Sequence, residues 1–376
     1  MKITKEIKKL FNRYQLKNYH FFLVVCVLAL SIIGVLAVGS AKQSLQSRQI
    51  FGIVLGVIIM IIVSLIDYKW VLKMHWLLYA LTLLSLVLVL VMGDVSGGAK
   101  RWIDFGFVRF QPSELAKILL ILFMTQFLVT HADTLNTIKT LIQYAILCGI
   151  PLLLIVKEPS LSSTITITLI LLLLVFLGGL SYKIIGGTLL ILIPISVLFL
   201  GYVVQPNQKL LPDYQRGRIM AFLEPEKYKD DLAYQQNNSV MAIGSGQVTG
   251  KGLNNNTTTS VKRGNFILEP QTDFIFAIIG EELGFVGCLV VLALILLIVI
   301  QCILVGIRAQ SPAGRLIACG VGGWIAIQSF INIGVATKLL PNTGVPLPFV
   351  SYGLTSIVCL YIGIGFVLNI GLQVKK

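Results

Sequence analysis

Long apolar runs alternate with short polar connections along most of the chain. Ten runs hold roughly 17 to 25 residues, the length that a helix needs to cross the hydrocarbon core of a bilayer. The predicted spans are residues 19–39, 49–66, 74–92, 114–131, 138–156, 161–180, 183–203, 283–306, 315–336 and 352–372. We therefore predict an all-α polytopic membrane protein, a single integral membrane domain over residues 1–376, with a large loop at 204–272 between the seventh and eighth spans.

Composition supports this class of protein. Apolar residues make up 56% of the 376 positions and charged residues 12%, whereas soluble proteins carry about 25% charged residues. The six cysteines all fall inside apolar runs, without CxxC or Cys/His spacing. We interpret them as small membrane-buried hydrophobes, not as disulfides or metal ligands. They are Cys26, Cys148, Cys288, Cys302, Cys319 and Cys359.

The net charge of +14 is unevenly distributed along the chain. Counted over the termini and short loops, one side of the predicted membrane carries about twice as many Lys and Arg residues as the other. The basic tail at residues 1–18 belongs to the richer side. Because cytoplasmic loops carry the excess of positive charge, both termini are predicted to be cytoplasmic and the loop at 204–272 external.

The first external segment, residues 94–114, places cations among aromatic side chains. Lys100, Arg101 and Trp102 follow two glycines and Arg109 comes soon after, which favours an anion site built from cations and backbone amides. An interfacial aromatic belt is the alternative. Glu114 and Lys117 share one helix face.

Two further expectations concern the start of the fourth span. Ser113 is predicted to cap this helix. Lys117 lies about one turn inside the membrane, where an ionisable group is a functional candidate, with snorkelling to the interface as the alternative.

The second segment precedes the eighth span. Residues 283–306 suffice to cross the membrane, so residues 273–280 are predicted to lie in or dip into the outer interface, with Thr272 or Asp273 starting the helix. Asp273 would then be a poorly solvated carboxylate with a raised pKa, which suits a general base, unless it only caps the helix. Glu281 and Glu282 are expected at the interface, at least one as a structural cap.

Two other features of the long loop are less specific. Residues 246–252 resemble a phosphate-binding loop, but the first glycine is misplaced, no Ser or Thr follows Lys251 and no strand precedes it, so this interpretation is rejected. Arg216 and Arg218 are either a second anion site or part of a solvated loop.

The third segment, residues 338–353, contains three prolines and two glycines. Non-helical backbone at membrane depth needs cover from protein or a water-filled cavity. The segment is therefore predicted to be a re-entrant turn lining the same external cavity.

Four stretches in this order resemble the SEDS family (shape, elongation, division and sporulation). They are residues 98–103, Gly-Ala-Lys-Arg-Trp-Ile; residues 110–117, Phe-Gln-Pro-Ser-Glu-Leu-Ala-Lys; residues 272–284; and residues 347–353, Leu-Pro-Phe-Val-Ser-Tyr-Gly, which include Ser351. The resemblance extends over essentially the whole chain. It implies a peptidoglycan glycosyltransferase that polymerises lipid II on the outer membrane face, with a class B penicillin-binding protein, a transpeptidase, as partner.

The resemblance also assigns roles to single residues. Asp273 matches the aspartate taken as catalytic in the family, Glu114 and Lys117 match a pair lining its cavity, and Trp102 matches a functionally important tryptophan. Two stretches depart from the family pattern. Glu158-Pro159-Ser160-Leu161-Ser162 replaces Gln-Pro-Asp-Leu-Gly, and Gly353-Leu354-Thr355-Ser356 replaces Gly-Gly-Ser-Ser.

These residues fit glycosyl transfer from a polyprenyl diphosphate, whose leaving group needs charge stabilisation more than protonation. Asp273 is predicted to be the base, and the cations around it are predicted to bind substrate. The predicted substrate-binding residues are Lys100, Arg101, Trp102, Arg109, Glu114, Lys117, Arg216 and Ser351.

Other expectations concern cofactors and partners. A divalent cation such as Mg²⁺ or Mn²⁺ is left open, although the sequence has no dedicated metal cage. Expected partners are lipid II, the transpeptidase, other cell-wall synthesis proteins and membrane lipids, and no nucleic acid.

Two alternatives from other functional classes remain: a flippase that moves lipid II without chemistry, and a structural scaffold. Ionisable residues crowd the outer ends of the predicted spans, which favours the enzyme over the flippase. The short tails favour an elongation (RodA-like) role over one in division.

Overall fold

The computed structural model describes residues 19–96, 99–106, 109–158, 160–205, 208, 213–224, 227–228, 233–254, 260, 267 and 269–373. These residues form a bundle of α-helices with a small sheet at one end. The helices are α1 (Phe21–Ala41), α2 (Gln43–Leu65), α3 (Tyr68–Lys73), α4 (His75–Met92), α5 (Pro112–Thr130), α6 (Ile138–Lys157), α7 (Leu161–Leu177), α8 (Tyr182–Val204), α9 (Asp213–Leu223), α10 (Tyr234–Ser245), α11 (Ile275–Arg308), α12 (Pro312–Ala336) and α13 (Leu354–Leu372).

Each of the ten predicted spans coincides with one of these helices. Within the described residues, nine helices are long and apolar enough to cross a membrane. The tenth, α7, has 17 residues, which is about 25 Å at 1.5 Å per residue. The predicted fold class, an all-α polytopic membrane protein, is confirmed.

The centre of the bundle consists of α5, α12 and α13, whose spans are the most deeply buried. α13 packs along α2, and α11 contacts both α1 and α12. Buried amides strengthen this packing: Asn369 Nδ2 donates to the Ser64 carbonyl (2.8 Å), and its Oδ1 accepts from the Tyr68 amide (3.1 Å). Such hydrogen bonds between helices replace contacts with water that the membrane cannot offer.

A three-stranded antiparallel sheet connects α4 to α5, in a segment for which the sequence predicted no strands. Its strands are β1 (Asp94–Ser96), β2 (Ala99–Asp104) and β3 (Arg109–Phe110), in the order β1-β2-β3. The turn after β2 is fixed by Gly106, whose φ is +88° and whose amide donates to Asp104 Oδ1 (2.8 Å). The sheet positions Arg101 and Trp102 on β2.

α11 is two helices joined by a break at Gly284 (φ 65°, ψ −162°). Its first part, residues 275–283, is buried on almost every face, because α10, α12 and the loop after α10 surround it. This segment is therefore packed inside the protein, and its position at the outer interface of the membrane stays a prediction. The N-cap is Phe274, so neither Thr272 nor Asp273 begins the helix.

Between α12 and α13 the chain runs without regular secondary structure through residues 337–353. Val345, Leu347, Phe349 and Val350 are buried there. Gly34 of α1 allows the segment to approach closely, since a Cβ at this position would lie 2.8 Å from the Phe349 carbonyl oxygen. A non-helical segment covered by protein is what the prolines of the third external segment predict.

Candidate active site

A polar cavity of about 230 Å³ lies at one end of the bundle. Five parts of the chain meet there: β2, the first two turns of α5, the start of α7, the residues before α11, and the segment before α13 with the start of that helix. The cavity is lined by Arg101, Trp102, Gln111, Glu114, Lys117, Ser160, Ser163, Thr166, Glu269, Thr272, Asp273, Gly344, Val345, Pro346, Tyr352, Gly353 and Ser356. All three polar segments singled out in the sequence contribute to it.

Asp273 is held against this cavity through its backbone. Asn332 of α12 donates from Nδ2 to the carbonyl oxygens of Asp273 (2.8 Å) and Val345 (2.7 Å), which ties the two walls together. The carboxylate lies next to Gly344, whose φ is +74°. A Cβ at Gly344 would stand 3.1 Å from Asp273 Oδ2, a tight contact, and the positive φ favours glycine at this position.

The environment of Asp273 changes its acidity. Burial raises the pKa of its carboxyl to about 6, although nearby cations act in the opposite direction. Arg218 lowers the pKa, Glu269 raises it and Arg101 lowers it, in decreasing order of effect. A carboxylate with a pKa near 6 is mostly ionised at neutral pH and is a stronger base than an ordinary aspartate.

Glu114 and Lys117 form a buried ion pair on the first turns of α5. Lys117 Nζ lies 2.5 Å from Glu114 Oε1 and also donates to Gln328 Oε1 (2.8 Å). Both residues are about 2% exposed, so the snorkelling alternative for Lys117 is wrong. The cap prediction also fails: Gln111 is the N-cap of α5, and Ser113 instead contacts Ser163.

α12 contributes a row of polar residues that the sequence analysis missed. Trp324, Gln328 and Asn332 are spaced four residues apart and therefore lie on one helix face. Gln328 Oε1 accepts from Trp324 Nε1 (2.7 Å) and from Lys117, while its Nε2 donates to the Pro346 carbonyl (2.9 Å). The two amides, Gln328 and Asn332, four residues apart in an apolar span, could have indicated a polar helix face in the sequence, because polar groups inside a membrane are costly without partners.

Arg101 links the polar cavity to a larger apolar groove of about 460 Å³. The groove runs between α7, α8, α9 and residues 341–343, and its walls include Leu161, Ile165 and Phe222. Arg218 of α9 lines it too. Arg218 was weighed in the sequence only together with Arg216, and nothing in the local pattern distinguished the two.

The other predicted substrate-binding residues lie outside the cavity lining. Lys100 and Arg109 are exposed, and Arg109 Nε pairs with Asp104 Oδ2 (3.1 Å). Arg216 donates to the Val203 and Val204 carbonyls at the end of α8. Ser351 accepts from the Leu347 amide (2.7 Å) and donates to the Thr272 carbonyl. Their roles remain predictions.

The segment that departs from the family pattern reaches the cavity wall. Ser160 lines the cavity and donates to Ser163 Oγ (2.8 Å). Glu158 is fully buried, and neither of its carboxyl oxygens has a hydrogen-bond partner among the described residues. Burial raises the pKa of Glu158 to about 8, and the nearby Arg101 opposes the shift. A carboxyl in this state is largely protonated at neutral pH.

The model of the FtsW/RodA/SpoVE family, described as cell cycle proteins, matches residues 11–376. The chain belongs to this family. This result confirms the resemblance seen in the sequence motifs.

Its relatives have informative names. It is 36% identical over 357 residues to the peptidoglycan glycosyltransferase MrdB of Escherichia coli K12, covering 93% of this chain and 92% of that protein. It is 33% identical over 383 residues to a probable peptidoglycan glycosyltransferase FtsW of Geobacter metallireducens, covering 97% of each.

Solved structures agree with the fold. A chain from a study of the structural coordination of polymerization and crosslinking by a peptidoglycan synthase complex is 28% identical, with a TM-score of 0.79 over 94% of this chain and 97% of that one. The rod shape determining protein RodA of Thermus thermophilus is 24% identical, with a TM-score of 0.68 over 94% and 96%, a likeness of fold alone.

Proposed function

We propose that this protein is a peptidoglycan glycosyltransferase that polymerises lipid II, with Asp273 as the general base. The observation that carries the proposal is the position of Asp273. Its carboxyl, with a pKa near 6, faces a polar cavity. Through Arg101 this cavity adjoins an apolar groove. A cavity of this composition suits an amphiphile with a sugar and phosphate head and a long apolar tail.

The residues support a simple displacement reaction. Asp273 takes the proton from a hydroxyl of the acceptor sugar, and that oxygen attacks the anomeric carbon of the donor. A glycosidic C–O bond forms while the bond to the lipid diphosphate breaks, and the diphosphate leaves with the bonding electron pair. Arg101 and Arg218, at the border of cavity and groove, stabilise its negative charge.

A divalent cation remains part of the proposal without an assigned site. Among the described residues, no three His, Cys, Asp or Glu side chains are grouped so as to hold a metal ion. The carboxylates in the cavity lining that would contact such a cation are Glu114, Glu269 and Asp273.

Orientation and partners also belong to the proposal. Ten spans place both ends of the described chain on one side of the membrane, and the excess of Lys and Arg makes that side cytoplasmic. The cavity then faces outward. A class B penicillin-binding protein is the proposed partner, because a structural relative comes from a peptidoglycan synthase complex.

The test is the substitution Asp273→Asn, which keeps the shape of the side chain but cannot accept the proton. Polymerisation of lipid II by purified protein should fall by about 10²-fold or more, the usual contribution of a general base. Binding of lipid II should persist, since no cation has changed. Asp133→Asn is the matched control, because this carboxylate is exposed beyond the C-terminal end of α5 and lies outside the cavity lining, and it should stay within about twofold of wild type.

The same assay distinguishes the enzyme from a flippase. A flippase would move labelled lipid II across vesicles while the wild-type protein formed no polymer, and Asp273→Asn would change only the movement. Full polymerisation by Asp273→Asn would remove Asp273 from the mechanism.

A further inference from the structure

The break in α11 leaves backbone groups that a second segment satisfies. The Glu281 and Glu282 carbonyls accept from the amides of Lys251 and Gly252 (both 3.0 Å). Beyond the break, the amides of Phe285 and Val286 donate to the carbonyls of residues 247 (2.8 Å) and 248 (3.1 Å). Four hydrogen bonds therefore join the loop after α10 to both sides of the break, and they replace the bonds that the helix loses there.

Glycines make this approach possible. A Cβ on Gly246 would overlap the Gly280 carbonyl oxygen, one on Gly250 the Glu282 carbonyl oxygen, and one on Gly284 the Gly250 amide nitrogen. Gly250 and Gly284 also have positive φ angles, +79° and +65°. The glycine pattern of the rejected phosphate loop is thus explained by contact between two backbones.

Side chains add a second layer to this contact. Lys251 Nζ lies 2.9 Å from Glu281 Oε1, and the Glu281 side chain is 1% exposed. Glu282, also buried, accepts from Ser40 Oγ at the end of α1 and from the Asn254 amide (3.3 Å). Both carboxylates are thus buried against the loop after α10 and the end of α1, and their expected position at the interface and capping role stay predictions.

The break at Gly284 lies close enough to Asp273 for the loop contact to affect the position of the Asp273 carboxylate. The buried helix 275–283 begins two residues after Asp273 and ends at the break. Asn332 fixes the Asp273 end, and the loop fixes the other. A short helix held at both ends cannot slide or rotate without moving the carboxylate.

We propose that residues 246–254, the glycine clamp, position Asp273 by holding the broken helix 275–283 through its backbone and through the Lys251–Glu281 ion pair. Lys251 and Glu281 are thus positioning residues that act through this helix and do not touch substrate. This inference rests on the proposed function for its effect on catalysis, but the contact itself can be measured without it.

The test compares Lys251→Met, Lys251→Arg and the double variant Lys251→Met/Glu281→Gln in the full-length protein. Lys227→Met is the matched control, because Lys227 forms an exposed ion pair with Glu224 in the same loop. Two measurements are made on each: kcat and KM for lipid II polymerisation, and hydrogen exchange of the amides in residues 275–283.

Lys251→Met should lower kcat roughly tenfold to hundredfold with KM within about twofold, since misplacement of a reacting group by about 1 Å has effects of this size. Exchange in residues 275–283 should become faster. Lys251→Arg should stay within about threefold of wild type, and the double variant should recover part of the loss because no buried charge is left alone. Lys227→Met should leave both measurements unchanged.

Wild-type kcat and wild-type exchange in Lys251→Met would overturn the proposal. So would a fall in kcat with unchanged exchange, since the effect would then not pass through the helix. If Lys251→Met does not fold, the double variant decides by the same two measurements. A wild-type protein that makes no polymer would refute the proposed function, while the exchange data would still test the clamp.

Discussion

Replacing Lys117 by methionine tests the buried ion pair of the polar cavity. Lys117 is the positive partner of Glu114, donates to Gln328 and lies 5.5 Å from the centre of the Trp324 ring. Among the described residues, Glu114 Oε2 already has no hydrogen-bond partner. Lys117→Met therefore leaves a carboxylate buried with neither oxygen paired to a cation.

The expected loss of stability in Lys117→Met follows from the unpaired charge of Glu114. Removing one partner of a buried ion pair typically costs about 3–5 kcal/mol, because the remaining charge is uncompensated. The sequence alone predicts that Lys117→Met folds and inserts normally, since only a near-interface charge disappears. The structure changes that expectation: the variant should be clearly less stable as well as inactive.

A double variant separates stability from activity. Lys117→Met/Glu114→Gln removes both charges and keeps an amide where the carboxylate stood, so its stability should return to within about 1 kcal/mol of wild type. Its polymerisation of lipid II should remain lost, because the cation is still absent. Thermal unfolding of purified protein and a polymerisation assay measure the two quantities.

Two results would refute this reasoning. If Lys117→Met unfolded at the wild-type temperature, the pair would not be buried in the membrane-embedded protein. If the stable double variant polymerised lipid II at the wild-type rate, Lys117 would have no part in substrate binding or catalysis.

Three further outcomes are expected. Because Asp273 must be ionised to act as a base and its pKa is about 6, kcat should fall as the pH drops through 6 and be roughly tenfold lower at pH 5; a plateau down to pH 5 would contradict this. Folded Glu158 keeps a proton that the unfolded chain releases above its ordinary pKa, so stability declines as the pH rises from about 4.5 to about 8. Glu158→Gln should therefore raise the unfolding temperature more at pH 8 than at pH 5, and an equal shift at both would argue against a buried neutral carboxyl. A cysteine at the exposed Lys227 should react with an impermeant thiol reagent added outside cells, and one at Arg308 should not; the reverse result would invert the proposed orientation.

The sequence by itself determined the class of protein and the position of the spans. Apolar runs long enough to cross a bilayer are a local property, because a membrane helix satisfies its own backbone hydrogen bonds. For the same reason the prolines before α13 were enough to predict a non-helical segment covered by protein. Lys117 was singled out because ionisable groups inside the membrane are rare and costly. Glu114 was singled out because it shares a helix face with Lys117, and Asp273 because it was expected to be a poorly solvated carboxylate.

Only the tertiary structure decided which of the candidate residues share a cavity. In the sequence, Arg109 and Arg216 are as plausible as Arg101 as substrate-binding residues. In the structure, Arg109 pairs with Asp104, and Arg216 donates to a carbonyl at the end of α8. Their distances from Asp273 depend on how separate helices pack, which no local pattern records.

The break in α11 is a second feature that only the tertiary structure shows. The sequence predicted a span at residues 283–306 after a surplus apolar segment at 273–280, and the glycines of residues 246–252 only resembled a phosphate-binding loop, an interpretation that was rejected. The helix break and these glycines explain each other. The backbone hydrogen bonds lost at Gly284 are replaced by bonds to residues 247–252, more than thirty residues earlier in the chain. Long-range pairing of this kind is fixed by packing, and local sequence patterns do not specify it.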